Sequence, residues 1–502
     1  MNRTFATTAH DADPLRALML LSPFRPAFAV LGGILLILSL LMLLPIGLIA
    51  IGQAPDWPAF LISSGITAVV GIILLFPNRN SLERLTPQRM FLVTFANWIG
   101  VPLFATLPFL LSNLGISVTD AVFESVSGVT TTGATVLSGL DDMPKDILLW
   151  RSMTQWLGGL GFIGMAVAVL PFLRVGGMRL FQTESSDWSE KAVPRARTLI
   201  RSLTVAYLVL SFLCMFSYWI GGMTWFDAVN HAMTTISTAG YSTSDASLGS
   251  FPQPWIQWSA VLFMTLGGMP FVLFIKAFSQ RSLFALFDSQ VKAYLSVIVL
   301  MSILIALYLY LYKAIAPWEA ITLSFVNVTS VITTTGYASA DYGLWGEAAV
   351  VAFFFMMFIG GCSGSTSGGI KIFRFQLFFL ILYDQLIKSV HPRAVTTLRY
   401  NSRKVNEDVV SSSIAFMFMA MGSFGLLAFI LGLTGLDLTT SLSGSLTALM
   451  NVGPGLGEII GPPGNFEPLP TAAKWAMCAG MLLGRLEFLA IYILFTRMFW
   501  RG

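Results

Sequence analysis

Charge is scarce in this chain. Asp, Glu, Lys and Arg make up 11% of its 502 residues, against about 25% in ordinary globular domains. That shortage excludes a large soluble domain, and with it a nucleotide-binding module of the chain's own; any nucleotide sensing has to come from a partner. Histidine and cysteine number three each. His10, His231 and His391 are scattered, so neither a metal cluster nor a catalytic triad is available. Cys214, Cys362 and Cys478 fall within apolar stretches, match no metal-ligand spacing and read as small apolar fillers. An enzyme working at membrane depth needs paired carboxylates or a Ser/His constellation, and only Arg485 and Glu487 are plainly charged there. No Gly-Lys-Ser/Thr phosphate loop follows any glycine cluster. Gly159-Leu160-Gly161-Phe162-Ile163-Gly164 matches the dinucleotide fingerprint letter by letter, but inside an apolar run it reads as a helix-packing face.

What fills the chain instead is apolar: 55% of residues are hydrophobic and the mean hydropathy is +0.76. About 20 apolar residues in a helix cross a hydrocarbon core of about 30 Å. Ten such stretches occur, near 28–52, 57–76, 90–112, 148–173, 200–221, 255–278, 292–313, 347–384 (interrupted), 409–432 and 474–500. No small-residue cleavage site follows Pro45, so the first stretch is expected to stay as a span rather than serve as a removable signal. With Met1 on the cytoplasmic side, most of the 29 Lys and Arg residues fall inside and the outer loops are acidic. That is the positive-inside pattern, and a negative outer face concentrates cations at a pore mouth. The inner connections 174–199, with Glu184, Asp187, Glu190, Lys191, Arg195 and Arg197, and 385–408 are candidate docking surfaces for a cytoplasmic partner.

Four polar, glycine-centred segments break the apolar pattern: Thr130–Gly133, Ser237–Gly240, Thr333–Gly336 and Met450–Gly453. Their glycines are spaced by 107, 96 and 117 residues (133 to 240, 240 to 336, 336 to 453), an internal repeat. Each segment sits between two spans, which divides the chain into a leading hairpin (1–88) and four two-span units (89–175, 176–280, 281–384 and 385–502). Units that cross twice share one orientation and can surround a common axis. Nine residues before the glycines stand Glu124, His231, Asn327 and Gly444. The apolar runs leading to the glycines, such as 120–130 and 226–234, are too short to span and suit half-helices. Their C-terminal carbonyl ends would aim partial negative charge at the axis. Polar backbone at membrane depth is tolerated where it is buried or lines a water-filled path. A ring of backbone carbonyls can replace the hydration shell of a potassium ion, and turning successive carbonyls inward needs dihedrals that glycine adopts freely. The expected ion-facing set is Thr131, Thr132 and Gly133; Thr238, Ala239 and Gly240; Thr334, Thr335 and Gly336; and Asn451, Val452 and Gly453.

Two further features lie on the same path. Residues 360–369 put Gly360, Gly361, Gly364, Gly368 and Gly369 in one decapeptide of the eighth span. At about 1 kcal/mol per glycine relative to alanine, a helix does not run through it, so an unwound stretch is expected. Arg485 is a charge within an apolar span, which is costly and usually functional. At about 5 Å and an effective dielectric near 20 it would repel an axial cation by about 3 kcal/mol.

The chain resembles the Trk/Ktr/HKT superfamily of potassium transporters, closest to the bacterial Trk-type membrane subunit. The resemblance rests on Thr130–Thr135, Ser237–Ser242, Thr333–Ala338 and Asn451–Leu456, with Arg151–Gly159, Gly360–Lys371 and Gly484–Glu487. It implies an all-α polytopic membrane protein whose four helix–re-entrant loop–helix units surround a pseudo-fourfold pore, preceded by an N-terminal two-helix hairpin. Glycine at all four central positions implies a potassium preference, since serine at the first goes with sodium permeation in some plant relatives. Ala239 stands where bacterial relatives often carry another glycine, which leaves fine selectivity open. The resemblance makes 360–369 an intramembrane gate and points Arg485 into the pore below the filter. It further implies uptake into bacteria across the cytoplasmic (inner) membrane, a homodimer, and a cytoplasmic regulatory subunit sensing NAD(H) or ATP. No organic cofactor, nucleic-acid partner or catalytic residue is expected; potassium is cargo. A sodium-permeable or cation-coupled relative, or an unrelated secondary transporter with inverted repeats, is the alternative. Channel-like and proton- or sodium-coupled transport both stay open, as does a pH-tuning role for His231.

Overall fold

Prolines and small polar caps start most of the helices, and glycines decide where helices touch. The protein is described here by a computed structural model covering residues 23–83, 86–168, 192–394, 396–400 and 403–501. The leading hairpin is α1 (Arg25–Leu41) and α2 (Trp57–Leu75), each with proline in its first turn. The two cross at Gly32 and Gly71: a Cβ on Gly32 would lie 2.7 Å from Gly71 O. Small residues allow this backbone approach in membrane helix pairs. Leu31 then fills the space beside Gly100 in α3 (Pro87–Ala105).

From α3 onward the chain runs through span, short helix, span. The first set is α3, α4 (Val118–Val129) and α5 (Lys145–Ala168). The second is α6 (Ala192–Ile220), α7 (Trp225–Ile236), α8 (Pro254–Gly267) and α9 (Phe271–Gln280). The third is α10 (Ser289–Lys313), α11 (Pro317–Ile332), α12 (Glu347–Met356) and α13 (Ile372–Val390). The fourth is α14 (Glu407–Leu433), α15 (Leu438–Met450) and α16 (Thr471–Arg485). A two-residue antiparallel ladder, Arg399–Tyr400 with Arg403–Lys404, marks the 385–408 connection. Of the other expected docking segment, 169–191 lies outside the described residues, and with it Glu184, Asp187, Glu190 and Lys191.

The short helices α4, α7, α11 and α15 contain 12, 12, 16 and 13 residues. At about 1.5 Å per residue none reaches across about 30 Å. α4 starts two residues before the expected 120, and α7 starts one residue before 226 and runs two past 234. Ser117, Thr224 and Asp437 accept from the backbone N–H three residues on, and Pro317 opens α11. These helices are the interior of the molecule: Ala121–Val129, Val326–Ile332 and Ser443–Met450 are buried throughout.

Six helices are long and apolar enough to cross a membrane among the described residues, and up to eight if two bent pairs each count as one. Two of the ten stretches read from the sequence are bent. The stretch at 255–278 turns by 92° between α8 and α9, and that at 474–500 turns by 104° between α16 and Leu489–Phe495. α12 stops after ten residues, before the glycine-rich segment, as the composition requires. In α5, Gly159 faces Tyr207, whose Oη would lie 2.7 Å from an added Cβ, whereas Gly161 and Gly164 meet nothing within 4 Å. Only the first of these glycines serves helix packing among the described residues.

Candidate ion-conducting site

Each short helix ends in one type of turn. Thr131 N–H donates to Gly128 O and Thr132 N–H to Ser127 O, both at 2.9 Å. Ala239 N–H to Thr234 O (2.9 Å), Thr335 N–H to Ser330 O (2.8 Å) and Val452 N–H to Thr447 O (3.1 Å) repeat the longer bond. These are Schellman closures, which place the residue after the cap in the left-handed region. Thr131, Thr238, Thr334 and Asn451 accordingly have φ of 55°, 50°, 56° and 54°. Three are β-branched, for which this conformation costs about 1–2 kcal/mol each. Sequence reasoning assigned the unusual dihedrals to the glycines alone. Gly133, Gly240, Gly336 and Gly453 do have φ of 84°, 79°, 85° and 113°, but the strain begins two residues earlier.

The four turns meet. A Cβ on Gly133 would collide with Ala239 O, one on Gly240 with Thr335 O, and one on Gly336 with Val452 O. On Gly453 it would lie 3.1 Å from Thr132 O and 3.2 Å from Gly336 Cα. The sequence of contacts closes: first to second, second to third, third to fourth, fourth to first. Each glycine leaves room for the carbonyl that precedes the next one. Glycine is required here by this close approach as well as by its backbone angles. Thr131, Thr132, Thr238, Ala239, Thr334, Thr335, Asn451 and Val452 all join the ring and are buried.

The polar residues nine positions before the glycines hold the chain that leaves the ring. Glu124 accepts from Val136 N–H (3.0 Å) and Asn327 Oδ1 from Ser339 N–H (3.1 Å), while His231 Nε2 lies 2.9 Å from Ser242 Oγ. Gly444 brings no side chain. Glu124 is also paired with Arg151 at 2.7 Å, both fully buried. Arg151, near the start of the 148–173 stretch, belongs to the interior. It donates to Ser242 O at 3.1 Å, and one turn on Gln155 Nε2 donates to Ala239 O at 2.8 Å. One face of α5 thus positions the second turn against the first.

Below the ring, residues 360–369 fold back so that Gly360 N–H donates to Ile370 O (2.9 Å). A Cβ on Gly360 or Gly369 would clash with the other's backbone, while Gly361 packs on Ser367 and Gly268. Gly364 O takes Phe271 N–H at 3.0 Å, which engages the corner at Pro270. Gly368 N–H donates to Thr334 Oγ1 (2.7 Å) and Gly369 N–H to Met450 O (2.8 Å). Arg485 NH1 donates to Thr366 O at 3.0 Å, and its guanidinium lies 4.1 Å from the centre of the Phe162 ring. Between this loop, Arg485 and Glu487 the free space is about 10 Å³, room for about one water. Lys371 and Arg374, just after the loop, are buried too. Helix α16 breaks just after Arg485, where Glu487 and Phe488 have φ of 57° and 54°.

Chemically, this is a polar constriction framed by carbonyls and hydroxyls, with cationic side chains beneath it. Among the described residues no group of three or more His, Cys, Asp or Glu gathers to hold a resident metal. A model of the TrkH family, described as cation transport protein, matches residues 57–501. The chain belongs to the TrkH family. As a TrkH-family member it is a transport protein and not an enzyme. It is 45% identical to the Trk system potassium uptake protein TrkI of Halomonas elongata over 492 residues, 98% of this chain and 100% of that one. It is 35% identical to the Trk system potassium uptake protein TrkH of Escherichia coli over 433 residues, 85% of this chain and 89% of that one. The crystal structure of the potassium transporter TrkH from Vibrio parahaemolyticus superposes with a TM-score of 0.88 at 34% identity. That match covers 95% of this chain and 100% of the other. The multi-pass helical fold of the TrkH family is thus the fold of this protein.

Proposed function

We propose that this protein carries potassium into the cell through the ring formed by Thr131–Gly133, Thr238–Gly240, Thr334–Gly336 and Asn451–Val452–Gly453. The observation that carries the reading is the closed cycle in which each glycine makes room for the carbonyl before the next. Backbone oxygens gathered in this way can stand in for the water a potassium ion sheds. Their positions are held by Glu124, Arg151, Gln155 and Asn327, so little reorganisation accompanies ion entry. The relatives named as potassium uptake proteins support the choice of ion. The segment 360–369 and Arg485 are the gate: together they fill the path below the ring, and the guanidinium opposes a cation there. Inward movement is favoured by about 2.3 kcal/mol per charge for each 100 mV of membrane potential.

In this reading the protein lies in the bacterial cytoplasmic membrane with its N-terminus inside, and 1–88, 89–175, 176–280, 281–384 and 385–502 are its hairpin and four pore units. It works as a homodimer whose gate answers to a cytoplasmic NAD(H)- or ATP-sensing subunit. The test is rubidium flux into liposomes together with potassium-limited growth of an uptake-deficient host. The expected result is that potassium blocks rubidium entry and sodium does not, and that Gly133→Ser removes growth rescue. Equal competition by sodium overturns the potassium assignment in favour of a sodium-permeable transporter.

A further inference from the structure

Each turn contributes a side-chain oxygen at its left-handed position, and the four are not used alike. Thr131 Oγ1 and Asn451 Oδ1 are buried without a hydrogen-bond partner. Thr334 Oγ1 accepts from Gly368 N–H, and Thr238 Oγ1 lies 3.2 Å from Thr366 Oγ1. The last carbonyls of two half-helices are taken in the same manner. Ile236 O accepts from the Thr366 hydroxyl at 3.0 Å, and Met450 O from Gly369 N–H at 2.8 Å. Residues 366–369 therefore bring N–H and O–H donors to the oxygens that a cation at the base of the ring would use. Half-helix C-termini carry partial negative charge, and a buried acceptor is costly to leave unpaired. Either the loop or a cation satisfies them.

Building on the potassium reading above, we infer that the glycine-rich loop closes by substituting for the ion. An alkali cation beneath Thr131, Thr238, Thr334 and Asn451 competes with the loop for Thr334 Oγ1, Ile236 O and Met450 O. Occupancy of the path by the permeant ion then favours the displaced loop. The gate responds to its own cargo as well as to any cytoplasmic partner, by differential affinity for two states.

Cys362 lies in the loop and is buried, which makes it a native reporter. In the full chain with Cys214→Ala and Cys478→Ala, the rate at which a charged thiol reagent modifies Cys362 is measured in liposomes. Potassium chloride is compared with choline chloride at equal ionic strength. Potassium is expected to accelerate modification several-fold. Thr334→Val removes one shared oxygen, so the basal rate rises and the potassium effect shrinks. Thr366→Val removes the loop's donor to Ile236 O but leaves Thr334 Oγ1 and Met450 O contested, so the basal rate rises and part of the potassium effect persists. A rate indifferent to potassium in protein that transports rubidium overturns the competition while leaving the filter reading intact. Absence of potassium-competed rubidium flux sinks the filter reading itself. A potassium effect left at full size in Thr334→Val also overturns the inference.

Discussion

The guanidinium of Arg374, not that of Arg485, takes the carboxylate of Glu487, at 2.8 Å. Arg485 is left with Thr366 O and the Phe162 ring, and two of its nitrogens have no partner in the structure. Arg374 likewise keeps two unpartnered nitrogens, Nε and NH1, so what separates the two arginines among the described residues is the carboxylate, which Arg374 has and Arg485 lacks.

The two arginines are therefore expected to separate in experiment. Arg485→Ala removes a barrier of about 3 kcal/mol, so rubidium flux should rise, by as much as about 100-fold. Glu487→Ala instead leaves Arg374 uncompensated and should cost about 3–5 kcal/mol of stability. Thermal melting of detergent-solubilised protein, read beside liposome flux, distinguishes them. A lower melting temperature without greater flux in Arg485→Ala would assign that residue a structural role.

The four glycines should not tolerate substitution equally. An added Cβ at Gly133, Gly240 or Gly336 collides with a neighbouring carbonyl, while at Gly453 its closest approach is 3.1 Å. Gly453→Ala, strained by its φ of 113° but spared a collision with a carbonyl, is expected to keep more rubidium flux than the other three variants. The alanine variants at 133, 240 and 336 should insert in the membrane and lose flux. Four equally inactive variants would show that backbone angle alone sets the requirement.

Periodicity and repeat spacing were enough to expose the half-helices and the broken eighth span, because each depends on local composition. The glycine spacing marked all four turns, and five glycines in residues 360–369 marked the loop. What stayed hidden was tertiary. Nothing near Arg151 announces a carboxylate 27 residues earlier, and its place after Asp141, Asp142, Lys145 and Asp146 looks like an external loop. Lys371 and Arg374 likewise look like an inner-face flank until the loop folds them under the ring. The sharp corner after Arg485 carries no proline or glycine to signal it; Glu487 and Phe488 take positive φ regardless. One signal was present and unread. Leu157-Gly158, Leu266-Gly267, Ile359-Gly360 and Leu483-Gly484 recur, and Gly158 and Gly484 leave no room for a Cβ beside Val129 O and Leu449 O. Gly159, Gly268 and Gly361 follow the first three pairs, which marks Arg485 as the substituted member of a fourfold set.

The bracing pair behind the ring should govern selectivity through position rather than contact with the ion. Glu124→Ala leaves Arg151 buried and unpaired, at about 3–5 kcal/mol, and frees Val136 N–H. Glu124→Gln keeps an acceptor for Val136 N–H and is expected to retain more stability while losing rubidium-over-sodium preference. Asn327→Asp, which keeps the acceptor toward Ser339 N–H but places a bare charge in the third unit, should be worse than Asn327→Ala in melting temperature. A Glu124→Gln protein with unaltered ion competition would remove this residue from the selectivity argument.

The first and last units are joined at the starts of α4 and α16 by Lys474 Nζ and Asp120 Oδ1, 2.5 Å apart. Burial alone would raise the Asp120 carboxyl, but hydrogen bonds from Lys474 and Ser117 together outweigh it and hold the group below its ordinary value of 3.8. A carboxylate with a lowered folded-state pKa adds stability that is present above the ordinary value and lost as pH falls through the lowered one. Acidification below the ordinary carboxyl value of 3.8 should therefore loosen the junction between α4 and α16 while leaving neutral-pH behaviour alone. In Asp120→Asn the neutral-pH melting temperature should fall, and this part of the acid sensitivity should disappear. Lys474→Met should lower the neutral-pH value as well, because it leaves the carboxylate with Ser117 as its remaining side-chain partner. If Asp120→Asn melts with the same pH profile as the unaltered protein, the ion pair does not hold the ring closed at this seam.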